Sequence, residues 1–125
     1  MAFTYRESRL AQRLGTPRVL NPDDIIANGN RQTLCSAQPT NFTQANSTFM
    51  LAKVDLTSSD YLKDPVHAVV KVSDKTGVPV TNGGRSNFIA IVDTVHSALK
   101  VVIRCNSVFI TVPGLIDFSS WGFFY

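Results

Sequence analysis

Strict alternation of side-chain character is the feature that most constrains what this chain can fold into. In FMLAKVDLTSS, residues 49–59, every second residue is small or apolar, and the residues between them include Lys53 and Asp55. Because successive side chains of a strand point to opposite faces, this pattern predicts a strand with one face on a core and one polar face. The question it raises is whether that polar face meets only water.

Two further runs, residues 31–38 and 66–74, repeat this period of two, and the loops between the three runs are short. Short loops favour antiparallel neighbours, because parallel strands need a crossover of a dozen or more residues. In residues 86–100 the period changes: Phe88, Val92, Val95 and Leu99 are spaced as one stripe of a helix, with Ser86 or Asn87 as the N-cap. For residues 101–125 strand and kinked helix both stay open, and the aromatic end, IDFSSWGFFY, is expected to be anchored to the fold or to a partner.

These patterns predict an α+β fold in which an antiparallel sheet is followed by a C-terminal helix or helices. The 125 residues form one domain, with the N-terminal segment and sheet over about 1–85 and a helical region over about 86–125. No internal repeat is expected. NPDD at 21–24 predicts a turn, NGN at 28–30 predicts a hairpin, and residues 1–20 fit either a strand or a short helix.

Charge is concentrated at the start of the chain. The net charge is +3, and the first twenty residues hold four arginines against one glutamate. A basic segment on a neutral body fits an arm that contacts a polyanion, and it also fits an ordinary solvated segment. The segment has no apolar run typical of a signal peptide, and the chain has no run of 18 apolar residues, so no membrane contact is expected.

Residues for catalysis or metal binding are sparse. Cys35 and Cys105 are 70 positions apart in apolar surroundings, which predicts buried free thiols. His67 and His96 belong to no metal-binding or nucleophile motif, so no cofactor, metal or enzymatic activity is expected.

Alternation through the three runs gives the predicted sheet one polar face. Cations for phosphate and hydrogen-bonding groups for base edges are what an RNA-reading sheet needs, although a solvated face is an equally simple explanation. The candidate RNA-binding residues on this face are Gln32, Ser36, Gln38, Lys53, Asp55, His67 and Lys71.

Four stretches, in this order, resemble the coat proteins of small single-stranded RNA bacteriophages of the levivirus type. QTLCSAQ is similar to an inner-face strand of that family, MLAKVDLT to the long strand after it, VHAVVKVSD to the strand before the helices, and GRSNFIAIVDTVHSALK to the first helix. The resemblance covers roughly residues 30 to 100.

The resemblance implies an interlocked homodimer whose sheets pair edge to edge, with the helices of each subunit over the partner's sheet. Such dimers would form an icosahedral T=3 shell around genomic RNA, with the virion assembled in the bacterial cytoplasm. Ser36, Lys53, His67 and Lys71 match family RNA contacts, and binding of a hairpin would repress translation. Leu34 and Val69 depart from the polar residues of hairpin-binding members.

Two other functions remain open from the residues alone. A non-viral RNA-binding module would share the basic face but stay a dimer. A small α+β enzyme would need a pocket near Asp55 and His67, the one candidate pair of titratable groups. No small-molecule substrate is expected under the first hypothesis.

Overall fold

The computed structural model describes residues 21–125 in full and, of the first twenty residues, only the backbone of 2–3 and 10–11. The predictions for the N-terminal segment and its arginines therefore lie almost wholly outside the described residues. Most of the described chain is β-strand. In chain order the elements are β1 (Ala2–Phe3), β2 (Leu10–Ala11), α1 (Pro22–Asn28), β3 (Arg31–Cys35), a π-helical turn (Gln44–Thr48), β4 (Met50–Asp55), a 3₁₀ turn (Ser58–Asp60), β5 (Tyr61–Asp64), β6 (Val69–Val72), β7 (Lys75–Pro79), β8 (Gly84–Arg85), β9 (Phe88–Asp93), β10 (Ala98–Arg104), β11 (Phe109–Ile110), β12 (Leu115–Phe118) and β13 (Trp121–Phe124).

The described strands form two four-stranded sheets and two smaller ones. The central sheet has the order β10-β9-β3-β4 and is antiparallel throughout. The second sheet has the order β2-β13-β6-β5, and β1-β12-β7 and β11-β8 complete the set. The fold is therefore mostly antiparallel β with few helices, which agrees with the antiparallel part of the sequence prediction.

Helix α1 replaces the predicted turn at NPDD. Asn21 is its N-cap, and the side-chain oxygen accepts hydrogen bonds from the backbone N–H groups of Asp23 and Asp24, at 3.1 and 3.2 Å. A proline in the first turn and two acidic residues at the positive end of the helix dipole favour the same start. NPDD is thus the N-terminal capping sequence of a helix and not a turn. NGN at 28–30 lies at the C-terminal end of the same helix and forms no hairpin turn.

The predicted helix over 86–100 is wrong. Residues 88–104 form the β9–β10 hairpin, with residues 94–97 as its turn. All six residues of β9 are buried, so the strand shows no polar alternation, and its apolar residues were mistaken for a helical stripe. Phe88 and Val92 face one cluster of apolar side chains, and Ile89 and Ile91 face the other.

The C-terminal region is also built of strands and not of the predicted helices. β13 lies inside the second sheet between β2 and β6, and Trp121 and Phe123 are buried. The aromatic end of the chain is therefore anchored to the fold, as its composition predicted.

Both faces of the central sheet are covered. One face packs with the second sheet and with β7 and β12 in the larger apolar cluster, which includes Leu34, Ile103 and Phe123. The other face packs against residues 42–49 in a smaller cluster around Cys35 and Ala45. Cys35 and Cys105 are free and buried, as predicted. Among the described residues, no helix has the length and apolar character needed to span a membrane.

The turns of the β5–β6 and β9–β10 hairpins form an internal repeat, although no repeat was expected from the sequence. Residues 64–72 and 93–101 share the pattern Asp-x-Val-His-x-x-x-Lys-Val. Each forms the turn of a hairpin, with Asp64 paired to Val69 in one and Asp93 to Ala98 in the other. Five identities in nine residues are a weak signal in sequence, and the matching geometry makes the repeat evident.

The two turns also share their hydrogen bonds. Oδ1 of each aspartate accepts from the backbone N–H groups two and three residues ahead, at 2.9–3.3 Å. Oδ2 contacts Nδ1 of the histidine, at 2.8 Å for His67 and 2.7 Å for His96. The next residue has a positive φ in both turns, 54° at Ala68 and 52° at Ser97.

Candidate nucleic-acid interface

The predicted polar face is split between opposite sides of the central sheet. Thr33 pairs with Lys53, and Gln32 pairs with Val54. Paired residues share a face, so Gln32 lies on the side opposite Lys53. A one-residue difference in register reverses every side chain of a strand, which is why alternation within each run could not fix their relative facing.

Gln32 lies inside the protein and cannot contact RNA there. Its side chain is fully buried, and Oε1 accepts a hydrogen bond from the indole Nε1–H of Trp121 at 2.5 Å. Its Nε2 is buried and has no hydrogen-bond partner among the described residues. The prediction that Gln32 belongs to an exposed polar face is therefore wrong.

Lys53 and Asp55 do lie on one exposed face, at the margin of the segment that covers the central sheet. Lys53 is exposed on β4. Asp55 accepts from Nε of Arg31 at 3.2 Å, and Arg31 also donates to Asn46 in the covering segment, at 3.0 Å. Asp55 thus orients Arg31 next to Lys53, in agreement with the idea that this carboxylate positions its neighbours.

A third cation lies on the same face near the far end of β10. Arg104 pairs with Phe88, and its guanidinium is 5.2 Å from the centre of the Phe88 ring. Arg31, Lys53 and Arg104 together are called the basic rim, since they lie on the covered face around the covering segment; of the three, Arg31 is the one paired with Asp55. Sequence reasoning missed both arginines: Arg31 is the first residue of the run 31–38, where it alternates with Gln32 on the face that was assigned to the core, and Arg104 lies outside the three runs.

The other predicted residues are dispersed. Ser36 is half-buried after β3, where its backbone N–H donates to Phe49 at 2.9 Å, and Gln38 is exposed in the loop that follows. Lys71 is exposed on the second sheet, between Leu62 and Gly122 of the neighbouring strands. His67 is exposed at the β5–β6 turn. The structure therefore brings together Lys53 and Asp55, and separates them from Lys71 and His67.

A cleft of about 620 Å³ opens beside Lys71, at the end of the β5–β6 hairpin away from its turn. Leu62, Val72 and Trp121 contribute apolar surface, and Asp60 and Asp74 contribute carboxylates. Asp60 forms an ion pair with Lys75 at 3.0 Å. Burial opposes its ionisation, but hydrogen bonds from Thr57, Ser73 and Lys75 hold the pKa of Asp60 at about 2.

Neither Asp55 nor His67 lines that cleft, so the pair considered for an enzyme is not assembled there. The hydrogen bond from His67 keeps the pKa of Asp64 below its usual value. Within the described residues, no three His, Cys, Asp or Glu side chains are grouped as metal ligands. Burial raises the pKa of the Cys35 thiol to about 11 and raises that of Cys105 as well.

The chain matches no protein-family model, no curated protein and no solved structure in the comparisons made with each.

Proposed function

We propose that this chain is a coat protein that assembles with copies of itself around single-stranded RNA. The proposal joins the resemblance of residues 30–100 to phage coat proteins with one structural observation, which is the outer edge of β10, unpaired within the described residues. The resemblance also implies the coat-protein fold, the interlocked dimer and the T=3 shell. The C-terminal helices of that fold are not part of the proposal, since residues 88–104 form strands.

β10 is the longest strand of the described chain and the outermost strand of the central sheet. Its only described neighbour is β9. The opposite edge strand, β4, is partly covered, because Ala52 bridges to Val80 and the N–H groups of Thr81 and Asn82 both donate to Leu51. β10 has five apolar residues and two cations, Lys100 and Arg104. A long open strand edge is a template for pairing with another chain. Pairing two β10 edges would join two central sheets into one continuous sheet of eight strands.

Exposed apolar side chains provide further contact surface. Within the described residues, seven large hydrophobic side chains are exposed, and four of them lie outside the two hairpin turns and the cleft: Phe109, Val112, Leu115 and Phe124. Single exposed apolar residues are ordinary, but three of these four are close in sequence, within residues 109–115. Exposed apolar side chains at this density suit contacts between subunits.

The basic rim supports RNA binding. Two arginines and a lysine share this face with one carboxylate, Asp55, which pairs with Arg31, so the face has a net positive charge. Phosphate contacts need no sequence-specific arrangement. Each copy contributes few contacts, so the affinity for RNA comes from many copies acting together. Lys71, Ser36, Gln38 and His67 remain proposed contacts, for which assembly would have to bring separate surfaces to the same RNA.

The first test is electron microscopy of the protein expressed in bacteria, with absorbance at 260 and 280 nm on the same fraction. Uniform particles that contain nucleic acid are expected. A monomer free of RNA across salt and protein concentration would contradict the proposal. A dimer that binds RNA and does not assemble further would favour the RNA-binding module.

The edge contact and the rim can be tested separately. Hydrogen exchange should show stronger protection of the amides of residues 98–104 in particles than in dissociated protein. Lys53→Gln and Arg104→Gln should each reduce the slope of log affinity against log salt by about 0.7 for single-stranded RNA. Lys63→Gln is the control, since Lys63 lies on another sheet and pairs with Asp23 at 3.1 Å. Equal slopes for all three variants would remove the rim from the proposal.

A further inference from the structure

The repeated turns present two side chains that the turn itself does not require. The turn needs the aspartate, which accepts from two backbone N–H groups, and a small residue at the positive φ. It has no need of an apolar side chain, yet Val66 and Val95 occupy the equivalent position and are 84% and 77% exposed. The same exposed pair, Val-His, at both tips points to a contact with something outside the hairpin.

The histidines are held in a defined orientation. Nδ1 of each ring is hydrogen-bonded to its aspartate, so the Nε2 atom is left for an external partner. A neutral ring that donates from Nδ1 can accept a hydrogen bond at Nε2, and a protonated ring can donate from it. A partner surface that offers both an ammonium and a carboxylate beside an apolar wall would suit both protonation states.

The cleft beside Lys71 offers those groups. Leu62 is 63% exposed in its wall, Lys71 is exposed, and Asp74 is exposed without an ion pair in the described part of the chain. Asp60 is already paired with Lys75. Because the cleft and the Val66 tip are at opposite ends of the β5–β6 hairpin, that tip cannot reach the cleft of its own chain.

We propose that the Val-His tips bind in this cleft on a second copy of the chain. The valine covers Leu62, and Nε2 of the histidine accepts from Lys71 or donates to Asp74 according to its protonation state. The contact is head-to-tail, which generates rings, closed shells or filaments and does not end at a dimer. With two tips and one cleft in each copy, a subunit can join its neighbours in two alternative ways. This inference rests on the proposed self-assembly and names one of its contacts; where a tip occupies a cleft, its histidine and Lys71 contact each other and not RNA.

Cross-linking between chains tests the contact directly. V66C and L62C chains are prepared separately, mixed, assembled and oxidised, and V95C with L62C is treated in the same way. The native thiols, Cys35 and Cys105, are buried and have raised pKa values, so they should not react. T76C with L62C is the control, since Thr76 is exposed on β7 and lies outside both the repeat and the exposed apolar side chains. A contact that raises the local concentration should increase the disulfide yield by roughly tenfold or more over the control.

Loss of assembly provides the second readout. V66S and V95S should each leave some assembly, because the other tip can still occupy the cleft, and the double variant should lose most of it. T76S should assemble like the unmodified chain. All three positions are exposed, so the variants are expected to fold, and circular dichroism verifies this.

The results separate this inference from the proposed function. Particles containing RNA, with no cross-link above the control, would overturn the tip–cleft contact and leave the coat function standing. Strong cross-links in oligomers that contain no RNA would support the contact and overturn the coat function. A double tip variant that assembles normally but binds RNA more weakly would overturn the contact and assign the tips to RNA.

Discussion

Replacement of Gln32 tests the register that separates this structure from the sequence prediction. In the structure the side chain is fully buried, with Oε1 bonded to Trp121 and Nε2 without a described partner. Gln32→Lys places an ammonium in that position, and an unpaired buried charge destabilises a protein by about 3–5 kcal/mol or more. Since a domain of this size is stable by about 5–15 kcal/mol, this variant should be close to unfolding.

Gln32→Met separates charge from packing. Methionine has a similar shape and volume. The change removes a buried unsatisfied amide, which is worth about 1–3 kcal/mol, and it takes the Oε1 acceptor away from the buried indole N–H of Trp121, which costs about 1–3 kcal/mol. The two terms oppose each other, so the free energy of unfolding should stay within about 2 kcal/mol of that of the unmodified chain. Lys53→Met, on the exposed position of β4, should change stability by less than about 0.5 kcal/mol.

Urea unfolding followed by the fluorescence of Trp121 measures all three variants, because it is the only tryptophan and it is buried. The slope of free energy against urea should stay constant in the two methionine variants, which makes midpoints comparable. If Gln32→Lys unfolds at the same urea concentration as the unmodified chain, position 32 is exposed. The alternating face predicted from the sequence would then be correct, and the register described here would be refuted.

Three further predictions concern single groups. Burial opposes the ionisation of Asp60, but its hydrogen bonds and Lys75 lower the pKa to about 2 in the folded state. The ionised carboxylate therefore stabilises the fold above about pH 4, and this contribution is lost as the pH falls towards 2. Asp60→Asn should make the unfolding midpoint less dependent on pH over that range, and an unchanged profile would contradict the assignment. Cys35 and Cys105 should react with a thiol reagent at pH 8 only at the rate of unfolding, and rapid labelling of native protein would contradict their burial. Ala68→Gly relieves a positive φ, so it should stabilise the chain by up to about 1 kcal/mol or leave its stability unchanged. Ala98→Gly, in the strand β10, should destabilise the chain by about 0.5–1 kcal/mol in the same urea unfolding experiment.

The strands β4 and β6 could be predicted from the sequence because each has one exposed face. β4 and β6 each expose a lysine between buried or half-buried residues, and the alternation predicted both strands. The buried thiols and the anchored aromatic end followed from composition alone. These are local properties, which one run of residues expresses without information about its neighbours in space.

The predicted helix failed for the opposite reason. β9 is covered on both faces, so nothing in its sequence distinguishes one side from the other. Alternate residues of β9 pack into two different apolar clusters, so the strand is apolar on both sides. A continuous apolar run fits a helix and a buried strand equally well. The turn signal at Asp93–His96 was available in the chain, since the same Asp-x-Val-His is found at Asp64–His67, and comparison of the two would have predicted a second hairpin.

Coverage of both faces of the central sheet also determines how this protein could hold RNA. A strand of RNA cannot lie across a sheet whose outer side is packed against residues 42–49, so the cations available to it are those at the margin of that cover. Arg31 is oriented there by Asp55 and Asn46, and Arg104 by the ring of Phe88. Such a rim binds phosphate without reading bases, and three cations in one copy give only weak, salt-sensitive binding. Useful affinity then requires many copies in fixed relative positions, so RNA binding and self-assembly depend on each other. Loss of the rim should weaken particles most at high salt, and loss of the contacts between copies should abolish RNA retention even though every rim cation is still present.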